Sequence, residues 1–280
     1  MITATQRQTF AELGVVKLDG LIPEATVSPA RDLVYRKLTR AGFWQDQAWI
    51  EVDAAGGLAA DKRLKVALQG SARSSPFKQL LTPEVLDIAR ELVDGQELRP
   101  IAPHTQLLFT PPSAARWAVP HNIWHLDVAR LGDLGPPGVQ MFTFLDTVAT
   151  AAGGTVLVAG SHRLLNDVGV IGSKKVKRRL RRRAYFRELM DKTATDRDRF
   201  MSEIGYVDDV PLRVVELTGK SGDVYFTDLR LLHSLGTNAS SLPRLMVTQR
   251  LVRDSVADRM RDASAELSAI RKSRKQTVSA

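Results

Sequence analysis

The sequence predicts a β-sandwich or barrel with helices placed ahead of most of its strands. Three observations predict it. Up to about residue 95, apolar residues recur at helical spacing. After residue 100 the pattern changes to short apolar runs punctuated by Gly and Pro. The chain has 280 residues, 44% of them hydrophobic and 25% charged, which suits one large domain or two modest ones, with a core that needs no staples.

The elements follow in order. Residues 4–12 form a short helix and Val15-Val16-Lys17-Leu18 a strand. From Pro23 to about Leu38, Val27, Ala30, Leu33, Val34 and Leu38 keep helical spacing. Residues 43–75 are Gly/Ala/Ser-rich and read as irregular. Thr82-Pro83-Glu84 starts a helix, because Thr suits an N-cap and Pro the first helical position; it ends near Gly95. Strand candidates are residues 106–109, 139–145, 155–158, 212–217, 223–226 and 245–252. A helical insertion, about 173–203, places Val176, Leu180 and Ala184 on one stripe. The stretch from Asp254 suits a helix and frays into a basic tail. The expected organisation is one domain over 1–255, with the insertion spanning about 163–211, and a C-terminal helix and disordered tail over 256–280.

Composition excludes several functions. There is no cysteine, hence no disulfide, Cys-based zinc site, iron–sulfur cluster or Cys nucleophile. No apolar run reaches the ~18 residues of a membrane span, and residues 1–10 lack the apolar stretch of a secretory signal. A cytoplasmic protein is the simplest reading. The formal charge is +9, yet eight of the 40 basic residues lie in Lys174–Arg183; without them 32 basic residues face 31 acidic ones. Basicity is local.

Of the five histidines, His125 and His233 stand in informative places. In His125-Leu126-Asp127 an imidazole and a carboxylate share a strand face. Taken alone, that pair is more simply a hydrogen-bonded strand pair. His233 follows another strand candidate, and two His with one carboxylate on a β-scaffold make the facial triad of non-haem Fe(II) oxygenases. Arg244, eleven residues past His233, offers a guanidinium that binds a carboxylate through two parallel hydrogen bonds, as the remote carboxylate of 2-oxoglutarate requires.

With these residues the chain resembles the phytanoyl-CoA dioxygenase-like family of Fe(II)/2-oxoglutarate oxygenases. Phe10–Leu18 resembles the family's opening helix and strand, and His125-Leu126-Asp127 its first two ligands. Asp146, then Gly153 to His162, is similar to its Asp…Asn-Gly…Pro-Gly-Ser-His signature. Gly222–Phe226 leading to His233 resembles the approach to the third ligand, and Asn238 and Arg244 the cosubstrate end. The resemblance covers roughly residues 8–252. Gly153 and Ala159 replace the family's usual Asn and Pro, and Leu235 stands where a Ser or Thr is common, so a supporting hydroxyl must come from elsewhere, such as Thr143. Related halogenases lack the metal carboxylate; Asp127 favours oxygenation.

The resemblance implies a double-stranded β-helix, a cupin-like jelly roll buttressed by N-terminal helices, with the insertion covering its mouth. It implies His125, Asp127 and His233 as metal ligands, and Fe(II), 2-oxoglutarate and O2 as cofactor and cosubstrates. The expected reaction is hydroxylation of a C–H bond in a small organic substrate with release of succinate and CO2. Alternatives are desaturation, epoxidation or cyclisation, or a non-catalytic barrel binding an acidic partner. Gln106 and Thr143 are further cosubstrate candidates. Trp124 reads as packing, His121 as a solvated loop residue, His162 as a structural hydrogen bond. Asp228 and Arg230 read equally as support for the ligands or as a surface ion pair. The basic segment has three readings: a solvated helix face, a site for an anionic substrate, or a nucleic-acid or membrane contact. Nucleic acid is disfavoured because aromatics are only 6%. A monomer or homodimer is expected.

Overall fold

A computed structural model describes residues 1–51, 57–132, 135–166, 169–263 and 265. The expected C-terminal helix is present over residues 254–263, and the basic tail lies outside the described residues.

The chain opens with α1 (Ala4–Leu13) and β1 (Val15–Leu18). Thr3 caps α1, its side chain accepting from Gln6 N while Gln6 returns the bond, and Gly14 ends the helix in the left-handed region. Next come α2 (Glu24–Arg40), a hairpin of β2 (Trp44–Gln45) and β3 (Ala48–Trp49), α3 (Gly57–Leu68), α4 (Ser75–Gln79) and α5 (Pro83–Glu91). Thr82 caps α5 as expected, accepting from Val85 N at 3.2 Å. The β-rich part holds β4 (Leu98–Pro100), β5 (Gln106–Thr110), β6 (Arg130–Leu131), β7 (Gly138–Phe144) and β8 (Val156–Ala159). β9 (Val170–Ile171) leads into α6 (Ser173–Leu180), α7 (Ala184–Leu189) and α8 (Arg199–Ser202). β10 (Gly205–Val207), β11 (Val210–Glu216), β12 (Val224–Asp228), β13 (His233–Ser234) and β14 (Arg244–Arg253) complete the sheets.

Two differences from the sequence reading have local causes. Residues 43–75 are not irregular: they hold the hairpin, α3 and α4. Leu, Ala and Lys, good helix formers, fill α3 and outweigh its glycine-rich approach. The insertion is three short helices rather than one. Arg181–Arg183 form a turn, so Ala184 starts a new helix and lies exposed, off the Val176–Leu180 stripe.

Two antiparallel sheets face each other. The larger runs β1-β12-β7-β14-β4, with β5 also on β14; the smaller runs β10-β11-β8-β13. This is the jelly-roll architecture expected. Period-two alternation sorts the strands' side chains. Phe142, Phe144 and Met246 of the large sheet meet Leu157 and Ala159 of the small one, filling the space between. Val139, Met141, Leu245, Val247 and Leu251 turn the other way, against Val27, Val34, Leu38 and Ile88 of the N-terminal helices. On the far side of the small sheet, Val156, Val158 and Val214 pack against Val176, Leu180, Phe186 and Phe200. The inserted helices therefore mainly cover the outside of the small sheet, and only their leading end reaches the mouth of the barrel.

The Gly-Ser-His turn ties these layers together. Gly160 N donates to Leu13 O at 2.8 Å, Ser161 Oγ accepts from Leu232 N at 3.0 Å, and His162 Nε2 lies 3.1 Å from Ala11 O. Gly160 has φ +85°, and a Cβ there would meet Pro211 O at 2.2 Å. Gly160→Ala is expected to destabilise the fold by more than about 1 kcal/mol, read as a lowered midpoint in urea unfolding.

Candidate metal centre

His125 and His233 are joined by their backbones before any metal is considered. His125 N donates to His233 O at 2.8 Å and His233 N to His125 O at 3.1 Å. His233 opens the short strand β13, and His125 lies in an irregular segment rather than on the strand the sequence suggested. The bridge brings the ring centroids to 4.3 Å. Asp127 follows two residues on: its Oδ1 lies 3.5 Å from His125 Nε2 and its Oδ2 3.6 Å from His233 Nε2. One donor atom from each residue lies within 4.8 Å of the others, close enough to share an ion.

The surroundings set both tautomer and charge. His125 Nδ1 is 2.8 Å from Ile123 O and His233 Nδ1 is 3.2 Å from Leu231 O. Each carbonyl takes the Nδ1 proton and leaves an Nε2 lone pair toward the shared position. The hydrogen bond to Asp127 raises the His125 pKa above the ordinary range; burial and the nearby Lys177 oppose it. Burial alone would raise the Asp127 pKa, but the two imidazoles and Arg250 hold it well below the usual carboxylate range. Asp127 is thus an anion at neutral pH, as a hard-cation ligand must be.

Two residues that sequence reasoning missed hold that carboxylate. Gln140 Nε2 donates to Asp127 Oδ2 at 2.8 Å and to Thr248 Oγ1 at 3.1 Å. Arg250 lies 3.2 Å from Asp127 Oδ2. The available signal was parity: Arg250 is six residues past Arg244 on one strand, hence on the same face.

The face carrying Met246, Thr248 and Arg250 also carries Arg244, at the other end of β14. Arg244 is 2% exposed. Its guanidinium touches the Thr110 hydroxyl and, at 3.6 Å, the Met246 sulfur. Its Nε has no hydrogen-bond partner, and among the described residues it meets no carboxylate. Burial pulls its pKa down to about 10. A buried guanidinium with an orphaned N–H is a receptor for an anion. The hydroxyl beside it belongs to Thr110, not Thr143.

Thr143 is a correction. It shares a face with Val139, Met141 and Leu145, which pack toward the helices, and its hydroxyl donates to Asp223 O at 3.0 Å. It is turned away from the triad. Gln106 lies on the triad's side but is exposed, its Oε1 accepting from Arg250 at 3.2 Å. Its geometry places it behind Arg250. Trp124 is packed as expected, 1% exposed, with its indole donating to Pro120 O. His121 is exposed. Asp228 and Arg230 form a buried pair rather than a surface one, 2.7 Å apart. Asn238 donates to Thr110 O and Leu242 O, shaping the turn before Arg244.

A jelly roll with two His, one Asp and an unpaired buried Arg on its inner face defines the class of non-haem iron oxygenases that use 2-oxoglutarate. The family model for phytanoyl-CoA dioxygenase (PhyH) matches residues 10–246, and the chain belongs to that family. Solved structures of the same fold include AviO1 from Streptomyces viridochromogenes Tue57, with a TM-score of 0.54 at 20% identity over 91% of this chain and 97% of that one. EctD from S. alaskensis in its apoform gives 0.53 at 19% identity, over 91% and 78%. HygX from Streptomyces hygroscopicus, solved with nickel and 2-oxoglutarate, gives 0.53 at 18% identity, over 91% and 88%. No curated protein sequence matches this chain.

If Gln140 orients Asp127, Gln140→Leu should weaken Fe(II) binding by roughly 10–100-fold, measured by anaerobic titration with competition against a calibrated chelator.

Proposed function

We propose that the protein is an Fe(II)- and 2-oxoglutarate-dependent hydroxylase acting on a C–H bond of a small organic substrate, with His125, Asp127 and His233 as its metal ligands. The observation that carries the reading is Arg244, a buried guanidinium without a counter-ion on the same inner face as the residues that brace the triad. Its fixed fork suits the remote carboxylate of 2-oxoglutarate, with the Thr110 hydroxyl as a second donor. The HygX structure, solved with nickel and 2-oxoglutarate, supports the same pairing of metal and cosubstrate on this scaffold.

Fe(II), when bound, would supply the oxygen activation, with two electrons from 2-oxoglutarate, leaving succinate and CO2, and two from the substrate C–H bond. The chain's own residues bind and orient. His125, Asp127 and His233 would hold the ion through two imidazoles and one carboxylate, a donor set that would leave it free to take cosubstrate and oxygen. Gln140 and Arg250 keep Asp127 ionised and fixed in direction. Phe142, Phe144 and Met246 exclude water from the space between the sheets, so that the reacting group competes with little solvent. His125, with its side chain 35% exposed against 11% for His233, marks the open edge by which substrate enters.

Anaerobic titration of the protein with Fe(II) and 2-oxoglutarate should give a visible charge-transfer band saturating at one equivalent per chain. His233→Ala should abolish it; a band of unchanged intensity in that variant would refute the ligand assignment. Arg244→Ala should keep Fe(II) affinity within a few-fold while weakening 2-oxoglutarate by roughly 2–5 kcal/mol. Because the substitution removes an uncompensated buried charge, the melting temperature of the cosubstrate-free protein should not fall as it does for a purely structural arginine. Screening for substrate-dependent succinate release, with 18O2 incorporation into product, then tests hydroxylation itself.

A further inference from the structure

The proposed chemistry makes no use of the cationic segment Lys174–Arg183. On α6, Val176 and Leu180 face inward, and Ser173 Oγ accepts from Leu126 N at 3.0 Å, pinning the leading end of the helix between the metal ligands. Lys175, Arg178, Arg179, Arg182 and Arg183 instead line a cleft of about 400 Å3, closed on its other side by Leu164, Leu165 and the β10–β11 turn. Leu164, Leu180 and Val207 give it an apolar floor. Its one acid, Asp208, is ion-paired with Arg183 at 2.6 Å. Among the described residues, Lys175, Arg178, Arg179 and Arg182 have no carboxylate partner.

Like charges gathered around one concavity repel, and its low-dielectric walls concentrate their potential. The remainder of the chain is nearly neutral, so these cations are not part of a general basic surface. The cleft is of small-ligand size; a nucleic acid would need a long track with aromatic platforms. Guanidinium forks match phosphate oxygens, and an apolar floor suits an organic body attached to them. We infer that the cleft between α6 and the β10–β11 turn binds a small phosphorylated organic molecule. It opens on the flank of α6 away from Lys177 and Ser173, so it is a second site, and the inference stands whether or not the metal chemistry is as proposed.

Inorganic pyrophosphate is the probe, titrated calorimetrically into the full chain at low and at physiological salt. One saturable site per chain is expected. Arg179→Ala/Arg182→Ala should weaken binding by about tenfold or more, because each loss removes a charge-assisted hydrogen bond. Lys174→Ala/Arg181→Ala removes the same charge from outside the cleft and should cost only about twofold at physiological salt, where distant charges are screened. Arg182→Ala alone, at an exposed position, gives an intermediate loss if the double variant folds poorly. Absence of a saturable site, equal weakening in the two double variants, or binding of a single-stranded RNA oligonucleotide without binding of pyrophosphate would each overturn the inference. Fe(II) and 2-oxoglutarate titrations should be unchanged in Arg179→Ala/Arg182→Ala, which separates this site from the metal centre.

Discussion

The backbone bridge between His125 and His233 is the constraint from which the site is built. These residues come from distant parts of the chain, and neither lies on a long strand. Two reciprocal hydrogen bonds fix their separation before any ion is present. Everything nearby serves that pairing. Ser161 Oγ holds Leu232 N, Asp228 O holds Leu231 N, and the Asp228–Arg230 pair is buried beneath the turn. The Gly-Ser-His turn in turn rests on the end of α1. A left-handed glycine, a buried ion pair and the first helix thus support the candidate metal centre without touching it.

The second organising rule is the alternation of β14. One face sends Leu245, Val247 and Leu251 into the core under the helices. The other carries Arg244, Met246, Thr248 and Arg250 in a row between the sheets. Arg250 neutralises the carboxylate at one end of the row, while at the other Arg244, among the described residues, meets no carboxylate. A one-residue slip of β14 would send both guanidinium groups into the hydrocarbon of the helical layer, so register here is enforced from both faces at once.

Much of this was legible in the sequence. Alternation and helical spacing marked the longer elements within a residue or two, since each buries a broad apolar face. The two- and three-residue strands carried no period to detect, and Ala-rich α3 was hidden behind its glycine-rich approach. In the site, His125, Asp127, His233 and Arg244 stood out because their chemistry is rare in combination. Thr143 was misplaced for want of one fact, the parity of β7, which only the packing of its neighbours reveals. Gln140 carried no signal and Arg250 only its shared strand face with Arg244, because the importance of both lies in contacts with Asp127 across the fold. A lone Gln or Arg on a strand announces nothing until its partner is placed.

The state of Arg244 has an energetic consequence that reaches beyond binding. Burying a cation without a counter-ion costs several kcal/mol, and one hydroxyl and a thioether sulfur repay little of it. The depressed pKa is the same cost seen from the protonation side. In the proposed complex the far carboxylate of 2-oxoglutarate would offset this cost, so its affinity would contain a term set aside by the fold itself. Stability and cosubstrate binding would then be one linked equilibrium: the empty barrel would be the less stable form, weakened by the residue proposed to select the ligand. A neutral side chain at 244 would make a sturdier barrel and a poorer receptor. That trade is the physical reason for placing a positive charge where the surrounding packing gives it no partner.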